Sequence, residues 1–202
     1  MSIRRLDDLS EVVIARSPIE FAVAHDEATR KAAFGLRHRA VLERGWGGHA
    51  DDDGRERDSY DDVALHVVGF VEGEAVATGR LVLPPAVLPT ERECGLVVSP
   101  EGRVVDVGRM VVAPSQRAWH RGAFVALLAA LYAEMRRQGF EVATGMMARD
   151  ARGLVRVLGL QLEVLGPDRE SHGEQRAPVR FCSAANTSPL DARWADLDNR
   201  EG

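Results

Sequence analysis

The chain is poor in the residues that build disulfide frameworks and metal sites. It has two cysteines, Cys94 and Cys182, among 202 residues. Two isolated cysteines cannot form a disulfide framework, which favours reduced thiols in a cytoplasmic protein. The six histidines are scattered, and no two have the His-x-x-x-His spacing of a helical metal site. We therefore expect structural thiols and no metal centre.

Long apolar runs and an excess of positive charge are also missing. No apolar run reaches the roughly 20 residues that a membrane-spanning helix needs, and the first residues, MSIRRLDDLSEVV, lack the apolar stretch of a signal peptide. With 26 basic and 31 acidic side chains, the net charge is −5. This balance argues against a nucleic-acid partner. The 45% of hydrophobic residues is sufficient for one domain with its own core.

The most informative stretch, residues 104–139, combines a strand, a basic turn and a long helix. Val104–Val112 is rich in β-branched residues, as expected of a strand, and Pro114 ends it. Apolar residues at helical spacing predict a helix from about residue 118 to 138, with Gly139 as its C-cap. Free N–H groups and the helix dipole make such a helix N-terminus an anion site. An ordinary α/β unit with solvated arginines is the alternative.

Shorter patterns predict the other elements. They are a strand at 19–24, a helix from the N-cap Asp26 to Arg44, hairpin strands at 63–71 and 75–83, a strand at 140–146, a helix at 150–158, and closing strands at 161–165 and 179–182. We expect flexible segments at 1–17 and 186–202, a polar flexible loop at 47–62 and an irregular excursion at 84–103. This order predicts one domain, residues 18–185, with an α/β or α+β mixed sheet and helices on both faces.

An ordered set of residues accompanies these elements and carries a family resemblance. The set is Arg37, Val41, Trp46, the D-x-x-D pair Asp58 and Asp61 with Tyr60 between them, G-R-L at 79–81, and the acid-x-x-Arg pair Asp106 and Arg109. With the element order, it resembles the GNAT acyltransferase superfamily, and within it the acyl-homoserine-lactone (autoinducer) synthases and the N-acyl amino acid synthases. The resemblance covers about residues 19–183. It implies a mostly antiparallel sheet, splayed fourth and fifth strands, and acyl transfer from a thioester to an amine.

The sequence departs from the family pattern at three places. Those families favour glutamate where this chain has Asp106, and the aromatic residue expected near Val41 is missing. The third departure is from the wider superfamily, whose coenzyme A pyrophosphate loop is usually R/Q-x-x-G-x-G/A. Here Arg117-Ala-Trp-His-Arg-Gly122 has His120 in place of a glycine, and the autoinducer-type families look similar in this respect. Because that glycine lets the backbone approach phosphate closely, the change favours an acyl carrier protein over coenzyme A as the donor. Both donors stay open.

Asp106 and Arg109 are the candidate catalytic residues. The resemblance implies that Asp106 accepts or orients the amine proton and that Arg109 holds an acyl carbonyl or a carrier phosphate. Residues three apart in a strand point to opposite faces, but the mid-strand Gly108 predicts a bulge that would bring both to one site. The alternative is an ion pair at a strand edge.

The remaining candidate residues have positioning and binding roles. Two arginines and two acids are expected to cross-pair and order the 47–62 loop, namely Arg37, Arg80, Asp58 and Asp61. The alternative is that Arg37 and the acidic run are solvated. Trp46 follows the end of a predicted helix and precedes the loop, which favours either a place in the core or a wall of the acyl pocket. The donor phosphopantetheine is expected to bind at Val111, Val112, Arg117, Arg121 and Gly122.

Three functions are compatible with these features. The first is an N-acyltransferase that uses acyl carrier protein or acyl-CoA and a small-molecule amine, such as an amino acid or its derivative. The second is a catalytically silent GNAT-like module that binds a ligand or regulates a partner, and the third is an acetyl-CoA-dependent N-acetyltransferase. No tyrosine follows Tyr132, so the late general acid common in GNAT enzymes is missing.

Overall fold

An eight-stranded mixed sheet organises residues 3–45, 53–115 and 120–186, which are the residues that the computed structural model describes. The helices are α1 (Ile3–Ala15), α2 (Glu27–Arg44), α3 (Pro89–Cys94), α4 (His120–Arg137) and α5 (Arg149–Val157). The strands are β1 (Glu20–Val23), β2 (Leu65–Val71), β3 (Glu74–Val82), β4 (Val104–Val112), β5 (Val142–Ala148), β6 (Glu163–Val164), β7 (Arg169–Ser171) and β8 (Glu174–Cys182).

The strand order is β1-β2-β3-β4-β5-β8-β6, and β7 pairs with β8. The β4–β5 pair is parallel, and the other pairs are antiparallel. This is the mixed, mostly antiparallel sheet that the sequence predicts. Within the described ranges, no helix has the length and apolar character to cross a membrane.

Local signals determine α2, which begins and ends as predicted. The Asp26 carboxylate accepts a hydrogen bond from the Thr29 N–H at 2.8 Å, and Gly45 ends the helix in the left-handed conformation at φ 64°. An N-cap carboxylate and a C-terminal glycine satisfy backbone groups that the helix leaves unpaired. Strand β4 and the body of α4 also agree with their predicted ranges.

Helices cover both faces of the sheet, as two neighbouring residues of β3 show, because successive side chains of a strand point to opposite faces. A Cβ on Gly79 would lie 2.7 Å from the Leu131 side chain of α4, so α4 packs closely on this face. The next residue, Arg80, contacts Asp58 and Asp61 on the other face, where α2 also lies. The cluster with the most buried apolar residues includes side chains of α4 and of α2, and the charged site lies on the face with α2.

Three described elements correct the sequence predictions. Helix α1 occupies most of the segment expected to be flexible, because Leu6, Leu9 and Val13 share a face that packs on α4. Helix α3 lies inside the 84–103 excursion, where its first turn is stabilised by a contact from β4. Strand β7 forms in the charged segment before β8 and pairs with it as a hairpin. In α3 and β7 the stabilising partner is distant or polar, so apolar periodicity does not reveal them.

Candidate active site

A bulge in β4 brings Asp106 and Arg109 to the same cavity. The β3–β4 register shifts between Thr78 and Arg80, which leaves an extra residue in β4. Arg109 lies at this irregularity with φ 51°, in the left-handed region. Both side chains line a polar cavity of about 340 Å³. The bulge predicted from Gly108 is therefore present immediately after that glycine.

The predicted cross-pairing of arginines and acids is also present. Arg37, which is 2% exposed, donates to both carboxylate oxygens of Asp61 at 2.8 and 3.0 Å. Arg80 donates to Asp58 at 2.6 Å and to Asp61 at 2.8 Å. Burial alone would raise the pKa of Asp61, but the hydrogen bonds and charge of Arg37 and the charge of Arg80 hold it well below its ordinary value. These bonds fix residues 58–61 to α2 and β3.

Glu56 extends this network and was not among the predicted site residues. It forms an ion pair with Arg37, and its other oxygen lies 3.2 Å from Nε of Arg109. Arg109 also donates to Asp58 at 2.7 Å. Glu56 and Asp61 are both buried, so ion pairs to α2 and β4 hold the described part of the 47–62 loop in place. In the sequence, Glu56 lies in an acidic run that is typical of a solvated surface.

Asp106 is buried and binds a backbone N–H group at the start of α3. It is 3% exposed, and its Oδ2 accepts a hydrogen bond from the Thr90 N–H at 2.8 Å. Thr90 lies in the first turn of α3, whose N–H groups have no partner within the helix. Burial raises the pKa of Asp106 to about 6. A carboxyl group with this pKa exchanges protons near neutral pH, as a general base must. Arg109 directs its guanidinium to Asp58 and Glu56, which differs from the edge ion pair considered above.

Strands β4 and β5 diverge immediately after Asp106. Their pairing covers Val104–Asp106 against Val142–Thr144. A Cβ on Gly145 would lie 2.4 Å from the carbonyl oxygen of Val107, so the strands are in close contact where they part. Beyond this point β5 continues its pairing with β8. The divergence agrees with the predicted splay of the fourth and fifth strands.

An apolar cavity of about 270 Å³ lies at the same divergence. Val107 and Met110 of β4, Gly145 of β5, and residues of α1 and α4 line it. Met146 lines both this cavity and the polar one. The split between β4 and β5 therefore lies between a polar chamber containing Asp106 and an apolar chamber on the side of α4.

His172 is a second site residue that was not among the predicted ones. It lies in the turn between β7 and β8, and its Nε2 accepts a hydrogen bond from Nη1 of Arg109. Burial and the positive charge of Arg109 lower the pKa of His172, which keeps the ring neutral. The sequence could not reveal this contact because the hairpin that brings His172 to β4 was not predicted.

The predicted donor-binding residues lie at the end of β4 and the start of α4. Val111 and Val112 are buried at the end of β4, while Arg121 and Gly122 are in the first turn of α4. Trp46 and Arg117 lie outside the described residues. Among the described residues, no group of three or more histidine, cysteine or carboxylate side chains could hold a metal ion.

No protein-family model and no curated protein matches the chain, but solved structures do. The acyl-homoserine-lactone synthase LasI superposes with a TM-score of 0.72 at 15% identity, over 84% of this chain and 92% of LasI. BjaI, a CoA-dependent acyl-homoserine-lactone synthase, gives a TM-score of 0.68 at 21% identity, over 86% of each chain. FeeM, an N-acyl amino acid synthase from uncultured soil microbes, gives 0.66 at 10% identity, over 84% of this chain and 94% of FeeM. The chain therefore has the GNAT-like fold of the acyl-homoserine-lactone synthases and N-acyl amino acid synthases, which confirms at the level of the fold the resemblance seen in the sequence.

Proposed function

We propose that this protein is an N-acyltransferase that moves an acyl group from a thioester to the amine of a small molecule. One observation carries the proposal: the buried carboxyl group of Asp106 lines a polar cavity that shares its lining residue Met146 with an apolar cavity, where β4 and β5 part. The polar cavity suits an amine, and the apolar cavity suits an acyl chain. A thioester placed in the split would be in reach of both.

Asp106 is the proposed general base. Most small amines are protonated at neutral pH, and the carboxylate of Asp106 would take one proton from the ammonium group. The free amine then attacks the thioester carbonyl, so that the C–N bond forms and the C–S bond breaks. The departing thiolate takes the second amine proton, which leaves an amide and a free thiol. The raised pKa of Asp106 suits this role because the group is a stronger base than an exposed aspartate.

Arg109 is the proposed partner of the reacting carbonyl. Asp58, Glu56 and His172 hold its guanidinium, and the residue lines the same cavity as Asp106. A fixed positive charge stabilises the oxygen of the carbonyl as negative charge develops there. Arg37, Arg80, Asp58 and Asp61 position Arg109 and the loop without touching the reacting atoms.

The proposed donor is a phosphopantetheine thioester, carried by coenzyme A or by an acyl carrier protein. Val111, Val112, Arg121 and Gly122 would hold it at the end of β4 and the N-terminus of α4, together with Arg117. Helix N-termini favour phosphate because their free N–H groups and dipole attract negative charge. Trp46 is proposed as a further wall of the acyl site.

S-adenosylmethionine and free amino acids are the first acceptors to test. BjaI has been solved with S-adenosylmethionine and isopentyl-CoA, and FeeM is an N-acyl amino acid synthase. The polar cavity has both acidic and basic lining residues, such as Glu93 and Arg92, which suits a zwitterionic acceptor. A closed lactone product would require a further step on the acceptor side chain.

The test incubates the protein with acyl-CoA or acyl carrier protein thioesters and each acceptor, and follows free thiol together with the mass of the amide. We expect thiol release that requires both substrates and yields one amide per thiol. Binding of the thioester with no amide from any acceptor would instead identify a silent ligand-binding module. Amide formation from acetyl-CoA alone among the donors would identify an N-acetyltransferase.

A further inference from the structure

Helix α1 forms one wall of the apolar cavity. Leu6, Leu9, Ser10 and Val13 line it, at the i, i+3, i+4 and i+7 spacing that places side chains on one face of a helix. Leu6 and Ser10 are buried, whereas Val12 on the opposite face is 41% exposed. The sheet and α4 supply the other walls. The helix precedes β1, so it covers the cavity but does not connect two strands of the sheet.

One aspartate of α1 ties this wall to α4. The Asp7 carboxylate accepts a hydrogen bond from the Tyr132 hydroxyl at 2.6 Å and another from Nε of Arg136 at 3.2 Å. The Tyr132 ring itself lines the cavity and packs edge-to-face on Phe181 of β8. The position of α1 and the orientation of a cavity wall are therefore set by the same contact.

The cavity extends from the proposed reaction centre to α1. At one end are Val107, which follows Asp106 in β4, and Met146, which also lines the polar cavity. At the other end is the inner face of α1. An acyl chain whose thioester lies in the β4–β5 split would direct its tail towards this face. The walls carry few polar groups, so the occupant that fits is a hydrocarbon chain.

We propose that α1 sets the length of the acyl chain, with Leu9, Ser10 and Val13 as the specificity-determining residues and Asp7 as the residue that holds the helix in position. This inference rests on the proposed acyl transfer. Removing volume from the inner face of α1 makes room for longer chains, and adding volume excludes them. Each methylene that gains or loses its place in the cavity changes the relative kcat/KM by about fourfold.

The test compares Leu9→Ala, Ser10→Leu and the solvent-face control Val12→Leu. Each variant receives an equimolar mixture of saturated acyl thioesters of increasing length, and mass spectrometry gives the ratio of the amides. Because the ratio is internal to each sample, a smaller folded fraction does not alter it. We expect longer chains to gain with Leu9→Ala, shorter chains to gain with Ser10→Leu, and the wild-type ratio with Val12→Leu. An unchanged ratio in both inner-face variants overturns the inference.

A binding measurement separates this inference from the proposed function. Displacement of a fluorescent fatty acid by free fatty acids of increasing length reports the cavity without any transfer. The same shifts in preferred length are expected there. Shifted binding in a protein that transfers no acyl group would contradict the proposed function and leave the role of α1 standing. Active transfer with an unchanged length profile would support the proposed function and contradict the role of α1.

The anchoring role of Asp7 is tested with Asp7→Ala against Asp8→Ala, an exposed neighbour with the same charge. Loss of the contacts to Tyr132 and Arg136 should broaden the range of chains accepted and speed hydrogen exchange in α1. Asp8→Ala should leave both at wild-type values. If the two variants behave alike, Asp7 does not anchor the wall.

Discussion

Asp106 has two tasks, as a partner of α3 and as the proposed base, and two substitutions separate them. In Asp106→Asn the side-chain carbonyl can still accept the Thr90 N–H, but the basic carboxylate is lost. We expect transfer to fall by about 10²–10⁴-fold, the usual effect of losing a general base, with an unchanged or higher melting temperature at pH 7. Asp106→Ala leaves a buried N–H without a partner and should also cost about 1–3 kcal/mol of stability. Near-normal transfer by Asp106→Asn would place the chemistry elsewhere.

The pH dependence of transfer follows from the raised pKa of Asp106. Burial moves this pKa to about 6, and only the carboxylate can accept a proton. The kcat/KM should therefore rise with pH through about 6 and level off above it. The stability of the fold changes with pH in the opposite direction. Because the pKa of Asp106 is higher in the folded than in the unfolded chain, folding becomes less favourable as the pH rises from about 4 to about 6. A pH–rate profile with its midpoint near 4 would indicate a group that is not buried.

The stability of the charged network should depend on Arg37. Arg37→Met leaves Asp61 and Glu56 buried with one cation fewer, and breaking a buried pair typically costs about 3–5 kcal/mol. Arg39→Met, at an exposed position of the same helix, should change stability by less than about 0.5 kcal/mol. Because the pKa of Asp61 is held below its ordinary value, its contribution is present above about pH 4 and is lost as the pH falls. Urea unfolding at neutral and acidic pH should show the gap between Arg37→Met and wild type narrowing in acid.

Among the elements, the β4–β5 split depends on a glycine. A Cβ at Gly145 would lie 2.4 Å from the Val107 carbonyl oxygen, where the strands separate. Gly145→Ala should cost about 1–3 kcal/mol through overpacking and lower transfer by moving β4 relative to β5. Gly153→Ala, in α5 with no atom within 4 Å of the new Cβ, should gain about 0.5–1 kcal/mol from helix propensity. Thermal unfolding and thiol release check both variants, and wild-type stability of Gly145→Ala would contradict the close contact.

Elements whose signals are local were predictable from sequence, and those held by distant partners were not. The cap at Asp26, the β-branched run of β4 and the apolar stripe of α4 act within a few residues, so the pattern gave their positions. The first turn of α3 depends on Asp106, sixteen residues away along the chain. Helix α1 is the exception, because the spacing of Leu6, Leu9 and Val13 carries a helical signal that its charged residues obscured.

At the scale of the whole molecule, the same distinction applies to the site. The cross-paired arginines and acids could be anticipated because they belong to the ordered set of residues that carries the family resemblance. The glycine in β4 indicated the bulge. Glu56 and His172 could not, since their roles depend on the three-dimensional meeting of a loop, a strand and a hairpin at Arg109. A polar network of this kind is specified by the fold and leaves no periodic trace in the sequence.

The charge of the whole molecule bears on its donor. The net charge of −5 repels an acidic carrier in general, so productive docking has to use a local basic region. Arg103 and Arg121 are both exposed. Arg103 lies just before β4, and Arg121 lies in the first turn of α4, within the proposed phosphate-binding segment 117–122 in which His120 replaces a glycine. We expect acyl carrier protein thioesters to have a higher kcat/KM than the matching acyl-CoA. Salt should reduce the carrier reaction more than the acyl-CoA reaction, because screening weakens charge-guided association.

Arg121→Gln should slow the carrier reaction more than Arg30→Gln, an exposed control on α2. A higher kcat/KM for acyl-CoA, with equal salt sensitivity of the two donors, would assign coenzyme A as the natural carrier.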